Sequence, residues 1–208
     1  SKTSYDESNT AIDLNREKVE QLTEKIFAMT SEMEQTPAAQ AIVQGAVDEL
    51  NAALPGLGLT YDTVTGQINM TRDALRDFAN EAADTARLDA LKKYMQDLTG
   101  QSVDLEIKGD ITSEQIETAK KRYEEASQAV EDFTEKQTWL EKILNYTNPS
   151  FISLKEAMEQ AENELEKLTQ SHEDIQTALE NVNSELETAQ TVYDEYVENM
   201  ASSADELL

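Results

Sequence analysis

Forty-three Asp and Glu residues stand against 17 Lys and Arg and a single histidine, His172, so any reaction chemistry would have to be built from carboxylates and one imidazole. A working acid and base pair needs two such groups held together in a pocket. Here the acids recur on the polar sides of helical repeats, where solvation is their ordinary role. The absence of cysteine removes thiolate metal ligands, disulfides and thiol nucleophiles. One histidine cannot supply the usual ligand set of a zinc site, and no Asp-x-Asp-x-Asp-Gly calcium loop occurs. Gly56-x-Gly58 lacks the third glycine and the basic residue of a phosphate-binding loop. Trp139 and the tyrosines fall at helical apolar positions, where core packing is their role. These residues predict no catalytic group, no cofactor and no metal site, which points to a non-enzymatic protein.

Composition narrows the partners. Only 38% of the 208 residues are hydrophobic, with one Trp and four Phe, which is lean for a globular core and suits elongated packing. The formal net charge of −26 opposes binding to a phosphate backbone, so nucleic acid is not expected as a direct ligand. Beyond Lys167 there is no Lys or Arg, while acids continue to Glu206. No apolar run approaches the roughly 18 residues a membrane helix needs, so this segment predicts no membrane partner.

The elements that would position these groups are mostly helices. Ile12, Val19, Leu22, Ile26, Met29 and Met33 lie on a heptad frame that breaks ahead of Pro37. Ala38 to Leu54 predicts a second helix, ended by Pro55-Gly56-Leu57-Gly58. From Leu59 to Met70 apolar residues alternate about Asp62-Thr63-Val64-Thr65-Gly66, the pattern of a small β-hairpin closed by a glycine at positive φ. Thr71 then caps a helix running towards Gly100. Val103, Leu105 and Ile107 alternate with polar residues and predict a brief strand, with a continuous helix as the rival that Gly100 and Gly109 oppose.

Two long seams follow. Thr112 and Gln115 form a capping box before Ile116, Ala119, Tyr123, Ala126, Val130, Phe133, Gln137, Leu140 and Leu144. After a corner at Asn145 to Pro149, the steps of four and three resume at Leu154 and run without a slip to Met200, a period of 3.5 that marks a coiled-coil seam. Folding at that corner pairs residues whose numbers add to about 294, which sets Phe133 against Ala161, Ala126 against Leu168 and Tyr123 against His172. His172 would then be a core residue hydrogen-bonded to the Tyr123 hydroxyl or to a carboxylate. Residues beyond about Val182 would overhang, leaving Leu186, Tyr193, Tyr196 and Met200 as a protein-interaction surface, covered by the N-terminal helix or by another chain. The chain is therefore expected to be mainly α, an elongated antiparallel helical hairpin or coiled coil with additional helices and a small β-hairpin. Its expected parts are an N-terminal helical segment over 1–58, the β-hairpin plus a helix over 59–111, and the coiled-coil hairpin over 112–208.

The stretch from Leu54 through Arg76, and within it Tyr61, Asp62, Thr65, Gly66, Asn69, Met70 and Thr71, resembles a segment of tail tape measure proteins of long-tailed phages and prophages. There a Tyr-Asp, a Thr-Gly turn and an Asn-Met-Thr lead into a helix after a helix that ends in Pro-Gly. The resemblance covers about 25 residues closely, and the acidic, heptad-rich surroundings are similar in style. It implies a structural role in setting tail tube length during virion assembly, location in the virion tail, and partners among further copies of the chain, tail tube proteins and tail assembly proteins. The alternative from the residues alone is an elongated helical protein-binding module of a bacterial surface or secreted protein.

Overall fold

The computed structural model describes residues 1–32, 36–137, 139–144 and 148–205. Met33 and Asn145, expected at the end of the first seam and at the corner, lie outside the described residues. In chain order the elements are α1 (Lys2–Glu32), α2 (Pro37–Ala53), β1 (Tyr61–Asp62), β2 (Gln67–Ile68), α3 (Arg72–Glu135), α4 (Trp139–Leu144) and α5 (Pro149–Asp205). The protein is mainly α with one two-stranded antiparallel hairpin. It packs as two units, residues 1–97 with 188–208, and residues 98–187. The boundary expected at 111/112 falls inside α3.

In the first unit α2 starts where the sequence says it must. Thr36 stays extended and its hydroxyl accepts a hydrogen bond from the Ala39 N–H at 3.2 Å, while Pro37 occupies the first helical position, where no N–H is needed. α1 and α2 run antiparallel, with the Asn15 amide donating to the Ala53 carbonyl at 3.4 Å and Lys18 3.5 Å from Glu49. Arg76 of α3 reaches Glu20 and Glu24 of α1 at 2.6 and 2.8 Å, and Arg72 lies 5.2 Å over the Phe27 ring. Between these helices Ile26, Val43, Val47, Leu50 and Leu75 are fully buried. A Leu or Ile buried to this degree contributes about 1.5–3 kcal/mol. Thr23, buried among them, donates its hydroxyl to the Val19 carbonyl at 2.7 Å, so no polar atom is stranded there.

The second unit is an antiparallel helical hairpin made by the C-terminal part of α3, α4 and the first part of α5. Asn148 accepts from the Ser150 N–H at 3.0 Å and Pro149 opens α5, as the sequence requires of a helix start. Within each unit, every position of the seam expected on α5 from Leu154 to Met200 is partly or fully buried. The register is not the expected one. Ser102 pairs with Asn183 at 2.9 Å, Arg122 with Glu164 at 3.4 Å, and Phe133 stacks on Phe151 at 5.8 Å. Paired numbers thus add to about 285 rather than 294. The reason is the corner: α3 stops at Glu135, and a further turn of helix, α4, lies in the reversal. Residues up to Leu144 keep an apolar period and carry no breaker, so the sequence places the fold too far along the chain.

Three expectations fall as well. Residues 103–107 are helical within α3, because the seam continues upstream through Leu98, Ser102, Leu105, Gly109 and Thr112. A methyl group at Gly109 would sit 3.4 Å from Gln176 Nε2 and 3.7 Å from Ile175, ordinary contact distances, so the seam rather than any steric need for glycine keeps this segment helical, against a cost of about 1 kcal/mol. Thr112 is no cap: its buried hydroxyl donates to the Lys108 carbonyl of the same helix at 2.7 Å. Tyr123 lies about ten residues, roughly 15 Å, from the position opposite His172. His172 Nδ1 is instead buried without a hydrogen-bond partner. An unpaired buried polar atom costs about 1–3 kcal/mol, and an apolar group of similar size removes that cost. His172→Leu should therefore raise the midpoint of urea unfolding, and a lowered midpoint would mean that the imidazole has a partner in solution.

Candidate functional site

The Leu54–Arg76 segment is tied together by side-chain hydrogen bonds to its backbone. Asn51, near the end of α2, clamps the returning backbone: its Nδ2 donates to the Leu59 carbonyl at 2.8 Å and its Oδ1 accepts from the Leu59 N–H at 2.9 Å. Asn69 does the same across the loop, donating to the Gly58 carbonyl at 3.0 Å and accepting from the Thr60 N–H at 2.8 Å. Gly56, Gly58 and Gly66 have φ of 86°, 65° and 70°, which side chains with a Cβ resist. Between them β1 and β2 pair Tyr61 with Ile68 and Asp62 with Gln67, the hairpin expected from the alternation.

Tyr61, Asp62 and Thr71 each have a structural task in this segment. Tyr61 is buried beside Leu57 and Leu59 in the core of the unit. Asp62 Oδ1 accepts from the Val64 and Thr65 N–H groups at 2.8 and 3.2 Å, and its carbonyl accepts from Gly66. Those backbone hydrogen bonds to Val64 and Thr65, helped by the Thr65 side chain, hold the Asp62 carboxyl below its usual range. Thr71 accepts from the Ala74 N–H at 3.1 Å and so caps α3. The motif is a device for reversing the chain and launching a helix.

The interaction residues expected on α5 divide between the units. Leu186 is partly buried in the helical hairpin. In the first unit Tyr193 lies under Lys92 Nζ, 5.9 Å from its ring centre, and Met200 is partly buried. Tyr196 hydrogen-bonds Arg87, which is also paired with Asp13 of α1. Burial pulls the Arg87 guanidinium down, but the Tyr196 and Asp13 side chains outweigh it and leave its pKa raised. One guanidinium therefore joins α1, α3 and α5. Sequence reasoning missed it because it started the α5-facing arm at residue 112, whereas α3 begins at Arg72.

Two clefts flank α1 in this unit. The larger, about 650 Å³, is bordered by Asp13, Glu17, Glu20 and Arg76, and the smaller, about 340 Å³, by Ile12, Val19, Ala79 and Ala82. At the first, Arg76 is paired with Glu20 and Glu24, and Asp13 with Arg87. Among the described residues no group of three or more His, Asp and Glu is placed to hold a metal ion. No protein family, curated protein or solved structure matches the chain.

Two outcomes test the chain-reversal reading. Asn51→Ala removes both bonds to Leu59 and should lower stability by about 2–3 kcal/mol in urea unfolding; a loss no larger than that of an exposed side chain would refute the clamp. Asp62 has a depressed folded pKa, so its stabilisation is present above its unfolded value near 3.8 and is lost as pH falls through the lower folded value. The stability gap between the chain and Asp62→Asn should be widest near neutral pH and should shrink as pH falls below 3.8. A gap independent of pH would remove the carboxylate from the turn.

Proposed function

We propose that this chain is a non-enzymatic structural segment of a tail tape measure protein of a long-tailed phage or prophage, acting in assembly of the virion tail. The observation that carries the reading is the Leu54–Arg76 segment. Its likeness to the phage pattern rests on Tyr61, Asp62, Gly66, Asn69 and Thr71, and those residues close a hairpin and start α3. A ruler needs helices joined by fixed, inert corners, and this motif provides one.

The antiparallel return in residues 98–187 refines the proposal. A helix that doubles back adds little end-to-end reach, so within such a ruler this chain serves as a folded module rather than as part of its linear span. No helix among the described residues is long and apolar enough to cross a membrane. The partners implied are further copies, tail tube proteins and tail assembly proteins.

The test lies in the phage or prophage that encodes the chain. Antibody to the chain should label tails during assembly, and in-frame removal of its codons should abort tails or change their length. Tails of unchanged length and number after that removal would overturn the proposal. Label confined to the host cell surface or medium would instead favour the elongated protein-binding module.

A further inference from the structure

In the second unit α3 is apolar on two opposite sides. One is the seam through Leu98, Ser102, Leu105, Gly109 and Thr112, buried or partly buried. The other carries Val103, Ile107 and Ile111, which are 48%, 53% and 51% exposed. At about 100° per residue, Val103 and Ile111 lie within roughly 40° of Ile107, whereas Leu105 and Gly109 lie about 160° away from it. Three β-branched side chains at steps of four make a straight apolar ridge about 12 Å long on the solvent side of the helix. Isolated exposed apolar residues need no explanation, but a ridge of them opposite a filled seam is the pattern of a helix with a neighbour on each side.

The charges beside the ridge select what would cover it. Asp104 and Asp110 flank it at about 60° on either side, Glu114 continues its line and Glu106 lies farther round, with Lys108 the one base in that stretch. A second copy laid antiparallel about Ile107 would bring Glu106, Asp110 and Glu114 against their own kind along one flank, and like charges across a contact oppose pairing. Anionic lipid and nucleic acid meet the same repulsion. We propose that the Val103–Ile107–Ile111 ridge of α3 is the docking face for an amphipathic helix of a protein partner whose apolar side is edged by Lys or Arg. Ridge-into-groove packing holds the apolar sides together, and the basic edges lie against Asp104, Asp110 and Glu114.

The probe is a short synthetic helical peptide of leucine and lysine with all leucines on one face, set against a peptide of the same composition in scrambled order. Fluorescence anisotropy at physiological salt should show the amphipathic peptide binding the full chain, at least tenfold weaker binding to Ile107→Asp, and unchanged binding to Leu14→Asp, which alters an exposed leucine of the other unit. Circular dichroism should be the same for all three chains, because both substituted side chains are exposed. Equal binding of the scrambled peptide, equal binding to Ile107→Asp, or no binding would overturn the proposal. So would sedimentation showing that the chain pairs with itself and that Ile107→Asp abolishes the pairing.

Discussion

The reversal after α2 depends on the Asn51 amide, which pairs with both the N–H and the carbonyl of Leu59. A loop carrying two glycines at positive φ has many conformations in the unfolded chain, and a bidentate side-chain clamp selects one of them. Once Leu59 is fixed, Leu54, Leu57 and Tyr61 are committed to the same interior as Ile26, Leu50 and Leu75. The apolar contacts supply most of the stabilisation of the unit, and those of Leu57, Leu59, Tyr61 and Leu75 require the backbone to turn after α2. The polar loop and the apolar core are therefore one cooperative structure.

The hairpin of the second unit works by a different rule. Its α3 seam places Ser102, Gly109, Thr112 and Ala119 at buried positions, small residues that let the helices approach, where most coiled coils would use leucine. Small residues bury little area, so each layer stabilises modestly. The Ser102–Asn183 hydrogen bond adds a polar pin, because any other register would strand these groups in an apolar seam. His172 Nδ1 and Gln137 Oε1, both buried without partners, show the same hairpin tolerating imperfect layers.

What the sequence made legible was local chemistry. The Thr71 cap, the Gly66 turn, the β-hairpin and the α5 seam each depend on residues within a few positions of one another, and each is present. Register was not legible, because it depends on where the corner falls, and α3 ends at Glu135, well ahead of the breakers Asn148 and Pro149, with Phe133 and Phe151 stacked across the reversal. The strand expected at 103–107 fails for a related reason. A period-two pattern of five residues also fits a helix that buries Leu105 on one side and leaves Val103 and Ile107 on the other. Glycine argues against a helix by only about 1 kcal/mol, and at Gly109 the buried seam on either side outweighs it. The neighbours of Tyr193 and Tyr196 on α3 were hidden because the sequence pattern ends one helix near Gly100 and begins the α5-facing arm at residue 112, whereas α3 runs unbroken from Arg72 to Glu135.

Charge explains how the acidic part of α5 in the first unit can pack at all. Beyond Lys167 the chain has no base of its own, and helices of one sign repel when brought side by side. The opposing helix answers with Arg87 against Tyr196 and Lys92 over Tyr193, one cation partly buried by the contact and one resting on an aromatic face. The same device recurs between α1 and α3, where Arg72 and Arg76 meet Glu20, Glu24 and Phe27. Exposed ion pairs of this kind are individually worth little. Their importance lies in position, because so few cations serve so many acids, and placing them between helices lowers repulsion where it would otherwise oppose folding. The outward acids are left unneutralised, so the surface stays strongly negative while the helix contacts do not.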